Sequence, residues 1–276
     1  LLSDGLANTG PAQPADLERL GRALMKERIS VTTIGLGTDY NEDLMTRLAQ
    51  ASDGNSYFVE HSRDLPRIFA AELGDVLSVA AREVRIEIEF PAGVRPLRIV
   101  GREGRLDDRR VEIALNQLYG GQSKYALVEV EVPAGRASDV REIALARCRY
   151  ENAYTQRNED ASGRVEARFS EDESEVIRHG NKQVIVEYLR NGVAIAADVA
   201  IELNDQGRNR EAATKLRTEQ SRLQKMAQEF RVEGEVQKDM EAAEAAAAKM
   251  EEGGFDNVDR KASRADNYRV YNQQMQ

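Results

Sequence analysis

At 276 residues the chain is long for one compact core, so two or three domains are expected. Hydrophobic residues (41%) suffice to bury cores, while a net charge of −9, 5% aromatics and no Trp disfavour a large phosphate-backbone interface or a stacking platform for bases or sugars. A single cysteine, Cys148, excludes an intrachain disulfide framework, and His61 and His179 lack ligand-like spacing, which leaves little for a His-based metal site or a Ser-His-Asp triad.

The first element, "LLSDG", reads as a short strand over 1–3 that releases Asp4-Gly5 into a tight turn. Opening without Met inside a hydrophobic strand suggests a cut, with an N-terminal portion, and any signal peptide or lipid anchor, upstream. A helix follows over 15–27, with Leu17, Leu20, Leu24 and Met25 on one face. "ISVTTIGLG" predicts a strand over 29–35. A helix over 42–52 comes next, capped by Asn41 with Glu42 and Asp43 in its first turn. "SYFVE" predicts a strand over 56–60, and the helix after it runs over 64–81. Ser62 or Asp64 is its cap, and Leu65, Ile68, Phe69, Leu73 and Leu77 are its expected buried side. Strands separated by helices of this length imply parallel pairing.

From about residue 83 the period changes from 3.6 to 2. "VRIEIEF" alternates cleanly, with Val84, Ile86, Ile88 and Phe90 inward, and five further runs to "RVEARFS" repeat the theme between turn signals. Six such strands predict an antiparallel sandwich. Arg102, Arg105, Arg109 and Arg110 interleave with Asp107 and Asp108, a solvated hairpin rather than a nucleic-acid patch. Cys148, in "IALARCRY", reads as a half-buried small hydrophobe. From about 173 the strands stop. "NKQVIVEYLRNGVAIAADVAIELNDQG" predicts one long helix between a cap at Asn181 and Gly207, and two more helices follow. In the last, Val236, Met240, Ala243, Ala247 and Met250 form a narrow seam for an antiparallel neighbour. The tail after Gly253-Gly254 is polar and expected to be loose, with at most one short helix. No stretch approaches the ~20 uncharged apolar residues of a membrane span.

The fold expected is thus multidomain α/β plus all-β plus α: a partial doubly wound parallel sheet over 1–82, an antiparallel β-sandwich over 83–172, and a helical hairpin or bundle over 173–276.

Two stretches together, "LLSDG" and "ISVTTIGLGTDYNEDLMTRLAQASDGNSYFVE", combine a strand ending Asp-Gly, a strand ending Ile-Gly-x-Gly, a helix carrying Leu-x-x-Leu-Ala and a Gly-x-x-Tyr-Phe strand. This resembles the C-terminal half of the von Willebrand factor type A domain. The layout resembles bacterial proteins in which that domain precedes a β-rich and a helical part, some called calcium-activated chloride channel homologues, a name that does not imply channel activity. The resemblance implies a metal-ion-dependent adhesion site at the carboxyl ends of the strands, built from an Asp-x-Ser-x-Ser loop, a Thr and a third-loop Asp. Mg²⁺ (or Mn²⁺ or Ca²⁺) would bind there and take a partner protein's carboxylate. The third-loop position falls on Asp4, although Asp-Gly is also ordinary turn chemistry.

No Asp-x-Ser-x-Ser occurs here; "SEDESE" and "ASDGNS" lie in the wrong places. The first three strands and two metal-binding loops are therefore expected upstream of Leu1, and one carboxylate is not expected to hold Mg²⁺ in this chain alone. In the family's sheet order the strand ending at Asp4 pairs with the domain's first strand, so a missing half-domain or second chain is expected along that edge. The function implied is a non-catalytic protein-binding or adhesion module of the bacterial cell envelope, periplasmic or surface-exposed, metal-dependent in the intact protein. Its protein partners are not identified by the sequence. A metal-independent assembly role is the second reading. A Mg²⁺-dependent phosphohydrolase using Asp4 is the third, disfavoured because no second carboxylate or phosphate-binding cation stands beside it.

Overall fold

The computed structural model describes residues 1–6, 10 and 13–274, the Val76 side chain excepted. The chain divides into two compact units, one comprising Leu1–Phe169 with the residues from Asn272 onward, the other Ser170–Tyr271.

The first unit opens with three parallel strands, β1 (Leu2–Ser3), β2 (Thr33–Leu36) and β3 (Ser56–Val59), in the order β1-β2-β3. Helix α1 (Pro14–Lys26) starts on a proline, whose fixed φ suits a first helical turn. It stops where Arg28 turns left-handed (φ 66°) and Ile29 N–H bonds back to Leu24 O. Residues 29–32 therefore precede β2 rather than begin it, and Ile29 is exposed. Leu20, expected on the buried face of α1, is 47% exposed. Helix α2 (Glu42–Ala51) is capped as the sequence implies: Asn41 Oδ1 accepts from Leu44 N–H at 3.1 Å.

Helix α3 (Leu65–Leu77) departs most from expectation. A 3-10 turn (Ser62–Asp64) leads into it, and neither Ser62 nor Asp64 makes a side-chain cap. It ends at Leu77 instead of 81 because β4 (Val79–Glu89) begins there and enters an antiparallel ladder at Val79. Of the five apolar residues assigned to its buried side, only Ile68 is buried and Leu65 half-buried. Phe69, Leu73 and Leu77 are 50%, 60% and 79% exposed. The side turned to the sheet instead carries Glu72, hydrogen-bonded to Tyr57 of β3, to Asn55 just before it and to Thr32 just before β2.

Seven antiparallel strands complete this unit: β4, β5 (Arg95–Val100), β6 (Arg105–Asp107), β7 (Arg110–Tyr119), β8 (Leu127–Glu131), β9 (Val140–Asn152) and β10 (Arg157–Arg168). They form a five-stranded sheet, β10-β9-β4-β7-β6, and a two-stranded one, β5-β8. The alternation read from "VRIEIEF" puts Val84, Ile88 and Phe90 in the core with Val111, Ile113 and Leu115 of β7, and Val128 and Val130 of β8 pack against it. Two arginines of the basic cluster are paired locally: Arg110 with Glu87 and Glu112, and Arg105 with Asp107.

The second unit is helical: α4 (Glu173–His179), α5 (Lys182–Asp205), α6 (Asn209–Phe230), α7 (Glu233–Glu252) and α8 (Asn257–Asn272). Asn181 Oδ1 caps α5 through Val184 N–H, and Gly207 follows its end with φ 73°. The seam of Val236, Met240, Ala243, Ala247 and Met250 is buried throughout, in one core with Leu189, Ile201, Leu216 and Leu223. The tail is not loose: α8 is a sixteen-residue helix with Ala265 and Tyr268 buried. It is held by Asp198, which accepts from Arg264, Asn267 and Tyr271 at 2.7–2.9 Å. Three polar residues aimed at one carboxylate give no apolar period, which is why the sequence hides this helix. Among the described residues no helix is long and apolar enough to cross a membrane.

Candidate functional site

Asp4 stands at the carboxyl end of β1, where ligands gather in open α/β sheets. Parallel pairing of Leu2 with Ile34 and Ser3 with Gly35 fixes that strand end beside the end of β2. Ser3 Oγ donates to Gly5 O at 2.9 Å, closing the turn and leaving Asp4 exposed, with no partner for its carboxylate among the described residues.

The Ile-Gly-x-Gly motif has a physical reason at each glycine. A Cβ at Gly35 would lie 2.0 Å from Cζ of Tyr40, whose buried ring covers that strand and tilts against Phe58 with centroids 6.4 Å apart. Gly37 has φ 72°, the left-handed turn that ends β2. Burial, then the charge of Glu42, drives the Tyr40 hydroxyl far above its ordinary pKa. Beyond the turn Thr38 and Asp39 are exposed at the same sheet end as Asp4, with Thr38 Oγ1 donating to Asp39 Oδ1 at 3.4 Å.

Mg²⁺ demands near-octahedral oxygen coordination. Among the described residues no group of three or more Asp, Glu, His or Cys converges. Asp4 and the nearby hydroxyls are oxygen donors of the right hardness, but they do not make a complete ligand set. His61 and His179 are exposed and far apart in sequence, and Cys148 is half-buried, its thiol pushed up by burial.

Two polar clusters escaped sequence reasoning. In the first, Glu72 accepts from Thr32 Oγ1 (2.5 Å), Asn55 Nδ2 (2.8 Å) and Tyr57 OH (2.8 Å). Asp75, one turn on, is raised above the ordinary carboxylate value of 3.8 by burial first and by Glu72 second. A raised carboxyl costs stability when ionised: the cost is absent below 3.8 and complete above the folded value. Asp75→Asn is therefore expected to raise Tm at pH 7 and to leave it unchanged near pH 3, as thermal melts at the two pH values would show. In the second cluster Asp53, left-handed (φ 56°) just past α2, takes Asn116 N–H at 2.7 Å and Lys124 Nζ at 3.6 Å. A helix-ending "SDG" and a lone lysine some seventy residues further along the chain were the only sequence signals.

No family model matches the chain. Over 107 residues it is 30% identical to the uncharacterized protein YfbK of Escherichia coli K12, a match covering 38% of this chain and 19% of that protein's length. The structure of a von Willebrand factor type A protein from Catenulispora acidiphila superposes with a TM-score of 0.64 at 16% identity, over 85% of this chain and 56% of that one. The chain has a von Willebrand factor A-like fold. The ArnB paralog VWA2 of Sulfolobus acidocaldarius superposes on the A-like fold over 98% of this chain and 62% of its own, with a TM-score of 0.50 at 18% identity. Human COPII-coat protein Sec24c reaches 0.58 at 13%, over 93% of this chain and 35% of its own. The chain thus spans less than two thirds of the length of each of these four proteins.

Proposed function

We propose that the chain is part of a non-catalytic protein-binding module in which Asp4 serves as one ligand of a Mg²⁺ site, the other ligands coming from outside the described residues. The observation that supports protein binding is the outward face of α3. Pro66, Phe69, Ala70, Leu73, Gly74 and Leu77 follow one another around some 140° of that helix without a charge, and all are exposed. A contiguous exposed apolar face on a helix marks an interaction surface. What supports the metal ligand is the place of Asp4 at the carboxyl end of a parallel strand on the A-like fold, with its carboxylate turned to solvent.

A bound Mg²⁺ would offer an open coordination position to a partner's carboxylate, and Asp4 would hold and orient the ion from the β1 side. We place the module in the bacterial cell envelope on the resemblance of its sequence layout alone. A second reading, assembly without metal, draws on the open edge of β1: β1 ends the sheet order and both Leu1 and Leu2 are exposed. Titrating Mn²⁺ into the intact protein and its Asp4→Ala variant separates the two readings.

A further inference from the structure

Having left the first unit at Phe169, the chain returns to it at Asn272, and the three residues Asn272–Gln274 are held by side-chain carboxamides. Asn272 Nδ2 donates to Gly54 O at 3.1 Å and to Asn55 Oδ1 at 3.0 Å. Gln273 Oε1 accepts from Tyr125 N–H at 2.7 Å while its Nε2 donates to Tyr125 O at 3.0 Å. Gln274 is buried against the Tyr57 hydroxyl.

The Gln273–Tyr125 pair has the form of a strand pairing. A carboxamide presents one acceptor and one donor side by side, as a peptide group does, and here it satisfies both backbone groups of a single residue. A carboxylate cannot do this, because it has no N–H to give Tyr125 O. The seat therefore reads carboxamide chemistry. The fit is also incomplete. Gln273 sits in the left-handed region with φ 50°, and Gln274 Oε1 is buried with no hydrogen-bond partner. A left-handed non-glycine residue and an unmet acceptor both oppose docking of the segment. Were it to leave, Gly54 O would lose its bond from Asn272 and the Tyr125 backbone its two bonds with Gln273, and a ligand of the same chemistry would restore them.

We propose that the seat formed by Gly54, Asn55, Tyr57 and Tyr125 is a binding site for extended peptides bearing Asn or Gln side chains, and that Asn272–Gln274 is its resident ligand in cis. The proposal is independent of the metal reading of Asp4. A tethered ligand competes at high effective concentration, so the seat opens to an outside peptide only when the segment is released.

The test uses a fluorescein-labelled peptide with the sequence of residues 267–276, added to the full chain and to a chain ending at Tyr271, with binding read by anisotropy. The shortened chain is expected to bind at least about tenfold more tightly than the full chain. A peptide carrying Gln273→Glu is expected to lose that binding. A folded shortened chain that ignores the peptide, or equal binding of the Gln and Glu peptides, would overturn the proposal. If the shortened chain loses its fold, Gln273→Ala in the full chain decides. It should bind the native peptide more tightly than wild type and exchange the Tyr125 amide hydrogen faster. No change in either overturns the proposal.

Discussion

Asp53→Ala is expected to lower unfolding free energy by about 3–5 kcal/mol, the effect of stripping one partner from a buried ion pair. The side chains of Asp53 and Lys124 are only 8% and 5% exposed, with the ammonium 3.6 Å from the carboxylate. Burial pushes the Lys124 pKa down, and the charge of Asp53 acts against that push. Removing Asp53 leaves the ammonium desolvated without its counter-charge and takes from Asn116 N–H its 2.7 Å acceptor. The Asp53→Ala/Lys124→Met double variant should recover much of the loss, since an apolar pair of similar volume avoids both desolvation penalties. Urea unfolding of the three proteins measures this. A loss below about 1 kcal/mol for Asp53→Ala would show that the pair behaves as an exposed one.

Leu223→Ala in α6 should be comparably severe, about 3–5 kcal/mol. Leu223 is completely buried in the core shared by α5, α6 and α7. It lies against Gly192, where an added Cβ would come within 3.0 Å of Leu223 Cδ2. Glycine has no side chain to swing into the vacated space, so the cavity stays largely open. The readout is the denaturant transition followed by helical circular dichroism. Gly192→Ala in the same background should restore part of the loss, because the new methyl then points into the cavity.

These sites show where the sequence was legible. Elements with a strong period were legible: the alternation of β7 and of β4 from Val84 onward, and the Val236–Met250 seam of α7, follow from apolar spacing alone, although the first residues of β4 were read as helix. The Asn41 and Asn181 caps were read from local chemistry. Helix α3 was misread because its apolar residues are numerous enough to fill two faces. Spacing could not reveal that Glu72, satisfied by Thr32, Asn55 and Tyr57, would take the inward side and leave Phe69, Leu73 and Leu77 outside. Helix α8 was missed because what anchors it is a carboxylate seventy residues away. At the candidate site the glycines of Ile-Gly-x-Gly were legible as a motif, but the reason for Gly35, the Tyr40 ring lying on it, belongs to tertiary structure. Asp53 with Lys124, and Gln273 with Tyr125, are pairings between distant residues that no local pattern announces.

The measurement that bears most directly on the central claim, that Asp4 supplies one ligand of a metal site, is calorimetric titration of Mg²⁺ and Mn²⁺. It is run on this chain, on the intact protein that carries it, and on the intact protein with Asp4→Ala. Dehydrating Mg²⁺ requires several oxygen ligands held together. The intact protein is expected to bind one equivalent, the chain alone to bind weakly or not at all, and the Asp4→Ala protein to lose binding. Asp4→Ala should leave the stability of the chain within about 0.5 kcal/mol, as befits an exposed residue. Tight binding by the chain alone would place the site elsewhere in it, and undiminished binding by the Asp4→Ala protein would make Asp4 a turn residue only.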